Sequence, residues 1–137
     1  MKPRKQKPQI TPIVQGAFFL ATGLWPLVHL RSFEAVTGPK TDRWLVKTFG
    51  ALTAAVGASL IVGGVEGSRS RALPILGAGA ALALAGSDLA FVKKGMSRIY
   101  LADAVVEFAL TLAWLAELRV LSPWTRSGHA SRRRLLN

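Results

Sequence analysis

Four stretches of this chain run for the length of a membrane helix with almost no charge. Between Lys7 and Arg31 stand 23 residues without a charged side chain, and between Lys47 and Glu66 stand 18. Arg71 and Lys93 enclose 21 residues with a single acid, Asp88. Arg98 and Arg119 enclose 20 residues with three acids, Asp103, Glu107 and Glu117. A helix needs about 20 mainly apolar residues to cross the hydrocarbon core of a bilayer. No water is available there, so each backbone N–H and C=O must be paired within the segment, which selects helix over open strand. The expectation is an all-α, polytopic membrane protein: a bundle of four transmembrane helices over approximately 11–30, 42–65, 73–92 and 98–120. Residues 1–137 then form one membrane-embedded domain, with a basic N-terminal tail (1–10) and a basic C-terminal tail (121–137).

The fourth block is the marginal one. From Ile99 to Leu118 it holds nine Ile, Leu, Val or Phe residues, which favour insertion by roughly 3 to 5 kcal/mol. Two acids near its centre cost roughly 5 kcal/mol or more, so the sum is near zero. Such a helix needs partners inside a bundle, or else lies in the interface plane as an amphipathic segment. Punctuation supports the division. Thr11 followed by Pro12 fits a helix start, Pro26 a kink, and Thr37-Gly38-Pro39 a turn. Thr41 and Ser97 are placed to cap the second and fourth helices, Lys93-Lys94-Gly95 to end the third, and Pro123 to stop the fourth. The basic start and apolar run resemble a secretory signal. Bulky Leu27, Val28 and Leu30 follow the run instead of a small-residue cleavage site, so a retained anchor is expected.

The net charge of +11 does not call for nucleic acid, because the cations flank the apolar blocks. Half the residues are hydrophobic and 18% are charged, below the roughly 25% of soluble domains. With four spans both termini share one side. That side carries eleven Lys and Arg: Lys2, Arg4, Lys5, Lys7, Arg69, Arg71, Arg119, Arg126 and Arg132 to Arg134. The opposite side carries seven: Arg31, Lys40, Arg43, Lys47, Lys93, Lys94 and Arg98. The positive-inside rule then puts both termini in the cytoplasm. A bacterial inner (cell) membrane fits the composition. The Arg-rich tail is read as a solvated topogenic segment, with contact to anionic lipid as the alternative. The chain has no cysteine, which excludes disulfides and thiol chemistry. His129 has no ligand-spaced partner, no phosphate-loop or nucleophile-elbow pattern occurs, and nothing implies a cofactor, a metal or a catalytic residue. Trp25, Trp44, Tyr100 and Trp124 fall near span ends, as an interfacial aromatic belt would place them.

Polar residues inside the spans form faces. Residues three, four and seven apart share one side of a helix. Tyr100, Asp103, Glu107, Thr111 and Trp114 form one stripe. Gly77, Ala81 and Asp88 form another, as do Gln15, Thr22 and His29. Arg43, Lys47, Gly50, Ala54 and Gly57 form a fourth, and its small residues invite close helix packing. Lys47 is therefore expected to point into the bundle. Asp88 and Asp103 each lie five residues from the charged end of their span, so they should be level. Glu107 lies a turn deeper. Lys47, Asp88, Asp103, Glu107 and His29 are thus expected to converge in the half of the bundle away from the termini. Lys47 is expected to pair with Asp88 or Asp103. Three acids face at most two cations, Lys47 and Arg43, which leaves Glu107 without a counter-charge. Glu34 and Asp42 are expected to pair at the surface with Lys40 or Arg43.

The stretch from Trp25 to Gly50, WPLVHLRSFEAVTGPKTDRWLVKTFG, resembles the first hairpin of small uncharacterised bacterial four-helix integral membrane proteins. It covers about 26 of the 137 residues, and no activity comes with the resemblance. Small multidrug carriers share the size but place a glutamate in the first helix, where this chain has Gln15. Three readings follow. The first is a structural or accessory subunit of a membrane assembly, favoured by small size and Gly/Ala-rich faces. The second is a small carrier or ligand-binding protein using the carboxylate and lysine cluster. The third is an acid-base enzyme on a lipophilic substrate. The lipid bilayer is the expected partner, with a homo-oligomer or another membrane protein as further partners and no nucleic acid.

Overall fold

A computed structural model describes residues 7–92 and 97–121. Five helices follow in order: α1 (Ile10–Val28), α2 (Leu30–Thr37), α3 (Arg43–Val65), α4 (Ala72–Val92) and α5 (Ile99–Leu121). Four of them are long and apolar enough to cross a membrane, and the chain is a multi-pass membrane protein. The four long helices match the expected spans 11–30, 42–65, 73–92 and 98–120 to within two residues at each end. The Lys93-Lys94-Gly95 stop, Pro123, Trp124, His129 and, of the two basic tails, residues 1–6 and 122–137 lie outside the described residues.

Several local expectations need correction. The first block is not one helix to residue 30. It runs through Pro26 for two residues and stops at Val28. His29 leaves helical geometry and starts the short α2. Thr11 does not cap α1; the N-cap position is Gln9, and the Thr11 hydroxyl donates instead to the Glu117 carboxyl on α5. Asp42, not Thr41, stands at the start of α3, with no side-chain cap. Ser97 behaves as expected, its hydroxyl accepting from the Ile99 N–H at 3.5 Å.

The bundle is built from two antiparallel pairs. α1 packs along α3, and α4 packs along α5. The first pair is held by glycines on both helices. Gly16 faces Gly57 and Gly23 faces Gly50 so closely that a Cβ on Gly23 would stand 2.5 Å from the Gly50 carbonyl oxygen. A Cβ on Gly57 would stand 2.6 Å from that of Gly16. Without a hydrophobic drive between helices in lipid, such backbone approach supplies the packing energy. The small-residue face Gly50–Ala54–Gly57 thus meets α1, and Gly16 and Gly23 complete it.

The two pairs join at a buried core of Phe19, Leu60, Leu73 and Trp114. Gln15 sits among them with no exposed surface. Its amide donates to the Gly77 carbonyl at 2.8 Å and accepts from the Trp114 indole at 2.6 Å. One side chain of α1 therefore ties α4 and α5. At the termini end, the Gln9 amide donates to the Ser68 carbonyl at 2.9 Å and closes α1 onto the loop between α3 and α4. The fourth span is part of the bundle, since Glu107, Thr111 and Trp114 are all buried. Outward faces carry Leu52, Ile75 and Val105, each more than half exposed, an apolar surface that matches lipid.

Candidate functional site

Above the core, towards the end away from the termini, the bundle opens into a cavity of about 500 Å³. All five helices contribute to its wall. The face of α5 predicted from spacing turns inward, so Tyr100, Asp103 and Glu107 line it together. The face of α4 that begins at Gly77 brings Asp88 to the same space. Gly77 lets this happen lower down, because a Cβ there would collide with the Trp114 indole. Phe18 and Thr22 of α1, Phe33 of α2 and Phe49 and Thr53 of α3 are also in the wall.

The three carboxyls differ in surroundings. Glu107 is fully buried, and both of its oxygens lack a hydrogen-bond partner among the described residues. Asp88 is 6% exposed, and its Oδ2 is likewise unpartnered. Asp103 is half-buried. Both aspartates are close enough for their charges to act on Glu107. Burying an ionised carboxylate without a partner is costly, more so in a membrane. Intramembrane acids are rare and expensive, which makes these three the candidate functional groups of the bundle.

Asp88, Asp103 and Glu107 converge as their spacing predicted. Lys47 does not join them. Its side chain is exposed, and no ion pair with Asp88 or Asp103 forms among the described residues. Depth along the helix is not the reason, because Leu45 and Val46, nearer the same end of α3, line the cavity. Lys47 is exposed and lies on the part of the α3 surface that does not line it. His29 is also absent from the cluster. It is exposed, and its Nδ1 accepts from the Ser32 N–H at 3.2 Å, capping α2. Arg43 turns outward and grips Glu34 with two hydrogen bonds of 3.1 Å, the surface pairing expected of these residues.

The cation that does reach the cavity is Lys40, from the loop between α2 and α3. Its ammonium donates to the Thr37 carbonyl at 3.1 Å and lies 5.0 Å from the centre of the Tyr100 ring. Spacing on a helix could not reveal this, because Lys40 is on no helix. The available signal was the short loop, which returns the chain over the mouth of the bundle. Tyr100, expected in an interfacial belt, is part of the cavity wall. Among the described residues no three His, Asp or Glu side chains are placed to hold one metal ion. Comparison with known proteins gave no match: no protein-family model, no curated sequence and no solved structure is similar to this chain.

Proposed function

We propose that this protein is a small ligand-binding membrane protein or carrier whose site is the carboxylate-lined cavity. One observation carries the reading. Glu107 is fully buried, both of its oxygens are unpartnered, and it faces an open space of about 500 Å³. A structural ion-pair network would fill those oxygens with protein donors. A binding site keeps them for a guest. The cavity combines an apolar wall with a few convergent polar groups, the usual make-up of a small-molecule site.

An accessory role in a larger assembly is the second reading. It is favoured by Gly79 and Gly86 of α4, which have open space around them, unlike the tightly packed glycines of α1 and α3. The two readings separate experimentally. Dicyclohexylcarbodiimide is an apolar reagent that attacks carboxyls shielded from water. Treating the protein in lipid nanodiscs, then mapping adducts by mass spectrometry, should label Glu107 ahead of the exposed Glu66. Absence of any Glu107 adduct would show that the cavity admits no guest and would leave the accessory reading.

A further inference from the structure

We infer that the cavity's ligand is a lipophilic organic cation, seated with its charge against Glu107 and Asp88. This rests on the reading of the cavity as a ligand site and names its chemistry. The polar atoms left open in the wall are carboxyl oxygens, two on Glu107 and one on Asp88. They call for a positive guest. The three acids outnumber the single described cation in the wall, Lys40, so the cavity concentrates positive charge.

The shape of the demand does not suit a bare divalent metal ion. A hard divalent ion needs six or more oxygens closing on one point. No three carboxyl or imidazole groups among the described residues are so placed. An organic cation needs less: one or two carboxylates and an aromatic surface over which a diffuse charge can lie. Phe18, Phe33, Phe49 and Tyr100 supply that surface. The rest of the wall is mainly apolar, which suits the lipophilic part of the guest.

Lys40 shows how the cavity treats an ammonium. Its Nζ rests over the Tyr100 ring and on a backbone carbonyl. It is a tethered cation on the aromatic wall that a free cation would use, and it competes with that cation for the carboxyls' field. Phe49 both lines the cavity and is more than half exposed. The entrance therefore borders lipid, from which an apolar cation can arrive.

The test uses two ions of nearly the same shape and opposite charge, tetraphenylphosphonium and tetraphenylborate. Each is titrated into the full chain in phosphatidylcholine nanodiscs, with empty nanodiscs giving the lipid partition. Tetraphenylphosphonium should bind saturably and tetraphenylborate should only partition. Glu107→Gln should weaken cation binding at least tenfold, and Lys40→Met should strengthen it several-fold. If Glu107→Gln does not assemble, Tyr100→Leu must show a several-fold loss. Equal binding of both ions, or cation binding indifferent to these substitutions, overturns the inference. Carbodiimide labelling separates the two levels of the reading. A Glu107 adduct that tetraphenylphosphonium does not suppress leaves a ligand site but removes the cation. No Glu107 adduct removes both.

Discussion

The indole of Trp114 and the amide of Gln15 meet in a 2.6 Å hydrogen bond across 99 residues of sequence. Both side chains are fully enclosed, and Gln15 spends its N–H on the Gly77 carbonyl at 2.8 Å. This pair fixes how the α1–α3 half of the bundle sits on the α4–α5 half, just below the cavity floor. Its removal should loosen the junction without touching the carboxyls.

Gln15→Leu keeps the volume but strands the Trp114 N–H. A buried unpaired donor costs about 1–3 kcal/mol. The double variant Gln15→Leu/Trp114→Phe should lose less than the sum of the singles, because no stranded donor remains. Thermal unfolding in mild detergent measures this, and strict additivity would mean that the bond contributes nothing.

Gly23→Ala should be among the most damaging single changes. The new Cβ would meet the Gly50 carbonyl oxygen at 2.5 Å and the Ala54 nitrogen at 2.6 Å, both backbone atoms. α1 and α3 must then separate. Gly86→Ala meets nothing within 4 Å and should leave the melting temperature of the isolated chain unchanged within error. Similar losses for both would show that close approach does not govern these glycines, since helix propensity favours Ala over Gly at both.

Glu107→Gln should hold or raise stability while it removes cation binding. The wild-type side chain is buried with two unpartnered oxygens, and the amide removes the cost of a potential charge there. Glu117→Gln at the other end of α5 is the contrast. The Glu117 carboxyl accepts from Thr11, so its replacement should lower stability modestly, by about 1 kcal/mol. A Glu107→Gln protein that unfolds early would show that its carboxyl holds the bundle together.

Cation binding should strengthen as pH rises. A proton and the organic cation compete for the same carboxyls, since either one relieves the buried charge. Among the described residues the ionisable groups around Glu107 are Asp88 from α4, Asp103 and Tyr100 from α5, and Lys40 from the loop. α1, α2 and α3 contribute no ionisable side chain to the wall. The affinity for tetraphenylphosphonium should rise with pH by up to about tenfold per unit where one proton is displaced. A flat profile would separate the proton from the site.

Orientation can be read with single cysteines, because the chain has none of its own. Charge bias predicts Ser70 on the cytoplasmic side and Thr41 opposite it. In intact cells an impermeant maleimide should label Thr41→Cys and spare Ser70→Cys. The reverse pattern would invert the topology.

The number and placement of the four spans were legible in the chain, because charge-poor blocks of membrane length have one solution in lipid. The inward faces of α4 and α5 were legible too, because a helix repeats at a fixed angle and puts Asp88, Asp103 and Glu107 on the sides that also carry small or aromatic residues. Periodicity along one helix says nothing about where its neighbour ends. Lys47 shares a face with Gly50 and Gly57 yet stays exposed, while Leu45, Val46 and Phe49 around it line the cavity. Lys40 shares a face with nothing, yet the loop carries its ammonium onto Tyr100. The tie from Gln15 to Trp114 and Gly77 needed three helices at set distances. Sequence alone determined which faces turn inward. Tertiary structure decided which residues meet there, because a meeting depends on the offset between helices and the path of the loops that join them.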